Sequence, residues 1–190
     1  NATKQNIGNV VVNGTSKTMI LGSNVVMNSM RVETDDVFDL STTGYTASVY
    51  RGWTNIGSFL PRTGTVAFIA TSSSYVINNG PSPFYNLTFN GAGGAWSFAT
   101  ATLTVQNNFT IATGTVTMPT GTTTISGSFL NTGGTFAHNN ANVLFNGSGS
   151  KTITQSGTAF TNAFYNVRFT GSGSWSFSEA NATTTNNFTI

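Results

Sequence analysis

The sequence predicts an all-β fold, a β-solenoid of the right-handed parallel β-helix type whose short strands stack coil upon coil, and three observations carry that expectation. The first is a repeat on two scales, which sets the architecture before any motif is read. Phe84-Tyr85-Asn86-Leu87-Thr88-Phe89-Asn90-Gly91, followed by Trp96-Ser97-Phe98, returns as Phe164-Tyr165-Asn166-Val167-Arg168-Phe169-Thr170-Gly171, followed by Trp175-Ser176-Phe177. Asn107-Asn108-Phe109-Thr110-Ile111 likewise returns as Asn186-Asn187-Phe188-Thr189-Ile190, and the alignment slips by a single position between Gly91 and Trp96. Inside this unit, residues 142–153 resemble residues 166–177, only 24 positions later.

The second observation is spacing. Strand-like triplets start near Leu87, Leu103, Thr123, Val143 and Val167, in steps of 16, 20, 20 and 24 along the chain, a separation that suits one solenoid coil. The third is composition. Charged residues make up 6% of the 190-residue chain, yet 38% is hydrophobic and 12% aromatic, enough to bury a core, and no stretch has the apolar spacing of an amphipathic helix.

A diverged first copy fills the N-terminal part. Asn9-Val10-Val11-Val12-Asn13-Gly14 aligns with residues 86–91, Gly52-Trp53-Thr54-Asn55-Ile56-Gly57 with residues 128–133, and Gly64-Thr65-Val66-Ala67-Phe68 with residues 141–145. Residues 1–190 therefore read as one elongated domain, with copy 1 at 5–83, copy 2 at 84–163 and a partial copy 3 at 164–190. The larger period reads as roughly four coils copied together. At about 20 residues per coil and roughly 4.8 Å per stacked strand, nine or ten coils give a rod on the order of 45 Å long.

Each element has a local reason. In Leu103-Thr104-Val105 and Asn142-Val143-Leu144-Phe145 apolar and polar residues nearly alternate, which suits a short strand with one buried face. Asn90-Gly91-Ala92-Gly93-Gly94, Asn146-Gly147-Ser148-Gly149 and Thr170-Gly171-Ser172-Gly173 break the strands at equivalent corners, where Gly and Asn tolerate tight turns. Pro61, Pro81, Pro83 and Pro119 fall between triplets, where a missing N–H removes no ladder bond. Phe89, Phe98, Phe109, Phe145, Phe169, Phe177 and Phe188 then point inward and stack between coils, each contributing roughly 1.5–3 kcal/mol by burial. Tandem immunoglobulin-like β-sandwiches of about 80 residues are the competing fold; the echo between residues 142–153 and 166–177 argues against them, since sandwich strands need not resemble one another.

Composition also narrows function. Seven Lys and Arg stand against five carboxylates and are scattered along the chain, with no cluster to follow a phosphate backbone, so nucleic acid is not an expected partner. No apolar run approaches the roughly 18 residues of a membrane span, so no membrane insertion is expected from this segment. With no cysteine there is no disulfide framework and no thiolate metal site.

Segments such as residues 84–91, 103–111 and 142–149 resemble the β-strand repeats of large bacterial and archaeal cell-surface proteins, clearly from Thr65 onward and loosely before it. The resemblance implies an exported, repetitive protein with a β-solenoid or adhesin-like stalk, an extracellular or cell-surface location and a non-enzymatic role.

Several residues are candidates for a site. Glu33, Asp35, Asp36 and Asp39, the only charge cluster, could hold Ca²⁺ through hard oxygen ligands, although the glycine-spaced aspartates of calcium-binding β-rolls are absent and a solvated loop is the plainer account. No other cofactor is expected. From Leu40 to Ser178 there is no Asp or Glu, so a pair of catalytic carboxylates would need the 33–39 cluster alone or with Glu179. The single histidine, His138, falls in a turn-like segment without a carboxylate nearby in sequence. Asn-X-Ser/Thr sequons at Asn1, Asn13, Asn86, Asn108, Asn146, Asn181 and Asn187 are glycosylation candidates, in a number that a chain this rich in Asn, Ser and Thr reaches by chance. Trp96 and Trp175 occupy equivalent positions and read either as core or as sugar-stacking faces. The expectation is a structural rod, filament subunit or adhesin stalk whose partner is itself, head to tail, or the rest of a longer polypeptide; the alternative is a carbohydrate-binding or carbohydrate-cleaving module such as a viral tail fibre.

Overall fold

A computed structural model describes residues 5–156, 162–178 and 183–190. Among them every regular element is a strand, and every strand pair is parallel. Parallel pairing throughout excludes the immunoglobulin-like sandwich, whose sheets are antiparallel. The chain is a β-solenoid of about eight turns, close to the nine or ten expected. The shortfall arises because several coils are longer than the closest triplets suggest: Met30 pairs with Trp53, Trp53 with Ile77, Phe129 with Ile153 and Val143 with Val167, steps of 23 or 24.

Three faces wind around one core. The first carries Asn9–Val12, Ser29–Val32, Trp53–Asn55, Ser74–Asn78, the second half of Asn86–Phe98, the second half of Phe109–Thr117 and Thr135–Ala137. The second stacks Val25–Met27, Thr46–Val49, Thr65–Phe68, the first halves of the same two long strands, Phe129–Asn131, Ser150–Gln155 and Ser174–Phe177. The third stacks Thr18–Ile20, Val37–Asp39 and Ser58–Leu60, and then Leu103–Val105, Thr122–Ile125, Asn142–Phe145, Phe164–Phe169 and Thr184–Thr189. Between these two stacks of the third face lies Pro81-Ser82-Pro83, where two prolines deny the ladder its N–H donors. There the Ser82 hydroxyl accepts from the Phe59 N–H at 3.0 Å, and Phe84 restores the ladder by a bridge to Val105.

The large repeat is not a whole number of coils. Trp53 lies on the first face and its counterpart Phe129 on the second; Val66 lies on the second and Val143 on the third. Leu87 and Phe109 on the second face likewise correspond to Val167 and Phe188 on the third, and Trp96 on the first to Trp175 on the second. Each copy is therefore set back by one face, a third of a coil short of the four expected. Equivalent residues consequently never stack on one another, and the step of 16 from Leu87 to Leu103 is a move between faces. The 20, 20 and 24 steps from Leu103 through Thr123 and Val143 to Val167 are true register partners.

Aromatic side chains fill the core. Phe68 and Phe89 stack at 5.3 Å, Phe89 meets Phe109 at 5.8 Å, Phe109 meets Phe129 at 5.5 Å, and Phe129 meets Phe164 at 5.1 Å. Of the phenylalanines expected inside, Phe89, Phe109 and Phe145 are fully buried and Phe98 and Phe169 partly so. Phe177 and Phe188 are 44% and 49% exposed because they lie on the last described strands of their faces and pack on the preceding coil alone. Glycine is obligatory at the corners where coils touch. A Cβ on Gly91 would collide with the carbonyl oxygen of Ala70 one coil earlier, and one on Gly147 with that of Ser126.

Candidate functional site

The acidic cluster does not converge. Asp36, just before the strand Val37–Asp39, bonds back to the preceding coil, and Asp39, at its end, bonds forward to the following one. Asp36 is fully buried, and its carboxylate accepts from the Gly14 N–H at 2.9 Å and the Lys17 N–H at 2.7 Å, fixing the turn that precedes Thr18–Ile20. Asp39, 5% exposed, accepts from Arg62 Nε at 3.0 Å and Nη2 at 2.8 Å, and from the Ser41 N–H at 2.8 Å. Glu33 pairs with Arg31, and Asp35 is exposed at a turn with φ 65°. Among the described residues no three of His, Cys, Asp and Glu gather where they could hold a metal ion. Of the four carboxylates read as a calcium candidate, Asp36 and Asp39 are buried and fasten one coil to another, while Glu33 pairs within its own coil and Asp35 is exposed.

The hydrogen bonds from the Arg62 guanidinium hold the Asp39 carboxyl below the usual carboxylate range, against the opposing effect of burial. Because the folded-state value lies below the unfolded one, the stabilisation is complete above the ordinary Asp value near 4 and disappears as pH falls through the depressed value. Asp39→Asn should thus lower the melting midpoint at pH 7, with the difference from the parent chain narrowing below about pH 4. Melting curves recorded from pH 7 down to pH 2 check this, and a difference that grows with acidity would contradict it.

His138 is half-buried and stacks on Tyr165 at 5.4 Å, while its Nδ1 accepts from the Asn140 N–H at 3.0 Å. That bond closes a turn in which Asn139 and Asn140 both adopt positive φ, 49° and 57°. Trp96, expected as core or as a sugar platform, is core. It is 1% exposed and packs on Phe89 at 5.1 Å, so it offers no face to a ligand. Trp175 is half-buried against Phe169, 5.1 Å away, and with Phe177, Phe188 and Ile190 borders an apolar cleft of about 230 Å³.

The sequons differ in their surroundings. Asn13, Asn146 and Asn187 are exposed, whereas Asn86 and Asn108 are half-buried. Asn86 Oδ1 accepts from Asn107 Nδ2 at 2.9 Å and the Asn108 N–H at 3.3 Å, and Asn108 Oδ1 accepts from the Ser128 N–H at 3.0 Å. Asn166 Oδ1 repeats the first arrangement with Asn186 Nδ2 at 2.7 Å and the Asn187 N–H at 3.2 Å. These amides clip one coil to the next, a role the Asn-Asn-Phe motif signals. Asn1, Asn181 and Glu179 lie outside the described residues.

Two polar clefts open on the surface. One, of about 350 Å³, runs over the third face past Asn142, Leu144, Asn166, Arg168 and Thr189. The other, of about 310 Å³, lies at the corner between the second and first faces and includes Asn6, Asn28, Tyr50, Arg51, Ser72 and Tyr75. Sequence reasoning passed over the second, although Tyr50-Arg51 stands where the aligned copy has Ser126-Gly127. The chain matches no protein-family model, no curated protein and no solved structure. No helix among the described residues is long and apolar enough to cross a membrane.

Proposed function

We propose that this chain is a structural segment of an extracellular or cell-surface assembly, a stiff β-rod or adhesin stalk that works by reach and by stacking on further coils. The observation that carries the reading is the aromatic file from Phe68 through Phe89, Phe109 and Phe129 to Phe164, which runs along the core beneath the second-face ladder, continuous from Val25–Met27 to Ser174–Phe177. A side-chain core continuous along the axis, with every neighbouring coil hydrogen-bonded, resists bending. The scarcity of ionisable groups and the absence of any carboxylate between Leu40 and Ser178 favour a mechanical over a catalytic role.

The second-face ladder joins each coil to the next by the same parallel pairing from Val25–Met27 to Ser174–Phe177, a mode of contact that favours stacking on further coils of the same kind. Light scattering and negative-stain microscopy across a concentration series test this. Rods that lengthen with concentration are expected. A monomer at all concentrations would overturn self-association.

A further inference from the structure

We propose that the corner cleft around Tyr50, Arg51 and Tyr75 binds a carboxylated sugar residue. The cleft is a product of unequal corners. Going from the second face to the first, the chain uses one residue, Asn28, between Met27 and Ser29; three, 50–52, between Val49 and Trp53; and five, 69–73, between Phe68 and Ser74. Backbone bonds keep the three corners stacked: Tyr50 N–H to Met27 O at 3.0 Å, Arg51 N–H to Asn28 O at 2.6 Å, and Ile69 N–H to Val49 O at 2.9 Å. The corners lengthen from one coil to the next, and Tyr50 and Arg51, on the middle one, line the cleft together with Thr71 and Ser72 of the longest.

The chemistry of this step is specific. Tyr50 is 39% exposed and Tyr75 half-buried, two amphipathic rings on which the C–H face of a pyranose can lie while its hydroxyls reach polar neighbours. Asn6 Nδ2 donates to Asn28 Oδ1 at 2.7 Å, which leaves the Asn28 amide nitrogen to donate to a ligand. Ser72 and Thr71 add hydroxyls. Arg51 is an exposed guanidinium outside the two ion pairs of the described residues, Arg31 with Glu33 and Arg62 with Asp39. Its two-pronged donor geometry fits a carboxylate, and that is the charge complementarity that selects an acidic over a neutral sugar.

The repeat supplies a second argument. The aligned residues are Ser126-Gly127, set back by one face to the corner between the third and second faces, where a Cβ on Gly127 would strike the Asn107 backbone. That corner has no room for a side chain, whereas the corner of copy 1 is open and furnished with an aromatic and a cation. A departure from the repeat that adds both at one exposed step points to a ligand rather than to the fold.

Titration calorimetry of the full chain with tetragalacturonic acid and with a neutral galactose tetrasaccharide tests the assignment, which stands independently of whether the rods self-associate. The acidic oligomer is expected to bind and the neutral one not to. Arg51→Gln should weaken binding about tenfold or more, Arg51→Lys less, and Tyr50→Ala should weaken it as well, all with unchanged circular dichroism. Arg168→Gln, on the third face, should change nothing. Absence of binding at millimolar oligomer, equal binding of the neutral sugar, or full affinity in a folded Arg51→Gln variant would each overturn the proposal.

Discussion

Trp53→Ala should destabilise the chain by about 3–5 kcal/mol, the largest effect expected of a single core substitution. Trp53 is fully buried on the first face and meets four aromatic rings: Phe59 at 4.9 Å, Phe84 at 5.8 Å, Phe38 at 6.0 Å and Phe68 at 6.3 Å. Those rings belong to successive coils and to all the faces around it, so the cavity left by alanine cannot close without shifting several ladders. Trp53→Phe should cost much less, on the order of 1–2 kcal/mol. Phe129 holds the equivalent place in the next copy, and the Trp53 indole N–H has no acceptor among the described residues, so the smaller ring also removes an unmet donor. Denaturant unfolding of the two variants checks the ranking. Because coils contact only their neighbours, hydrogen exchange in Trp53→Ala should rise first in the coils spanning residues 29–84. An alanine variant within about 1 kcal/mol of the parent would show that these rings do not share one core.

The solenoid was legible because its driving pattern is local. A coil requires only a strand triplet with an apolar centre, a Gly or Asn corner and a return to the same face one turn later. Val143 above Val167 shows the sequence echo and the strand register to be the same fact. The phase of the large repeat was hidden by Asn86–Phe98 and Phe109–Thr117. Each is one continuous strand that serves two faces, with the corner absorbed as an irregularity in pairing between Phe89 and Ala95. A count of apolar triplets therefore misses corners. Closeness along the chain did not tell where the acidic side chains go: Asp36 bonds to the turn before Thr18–Ile20 and Asp39 to Arg62, on opposite sides of their own coil. Trp96 and Trp175 are equivalent in sequence yet unequal in burial, because later coils cover Trp96 and only one neighbouring coil packs on the other. The Tyr50-Arg51 corner was recorded in the sequence as a departure from Ser126-Gly127, and departures in a repeat protein carry what the repeat itself does not need.

Asp36→Ala is expected to destabilise the N-terminal coils by about 2–4 kcal/mol, second only to the loss of Trp53. The Asp36 carboxylate is the acceptor for both Gly14 and Lys17 N–H groups, 2.9 and 2.7 Å away, and hydrogen bonds to an ionised acceptor contribute roughly 1.5–3 kcal/mol each. Alanine leaves both donors unmet and opens a void at a fully buried position. Asp36→Asn keeps one carbonyl-type acceptor but turns an NH2 toward one of the two N–H groups, so it should restore less than half of the loss. The position of the damage is as specific as its size. Asp36 stands immediately before Val37–Asp39, and the turn it holds leads into Thr18–Ile20, the two strands paired through Met19 and Phe38. Limited proteolysis of Asp36→Ala should therefore begin in residues 13–20 while the coils beyond Thr65 stay protected. Uniform protection at the turn, or a loss spread evenly over all coils, would show that the carboxylate is not the fastener of this turn.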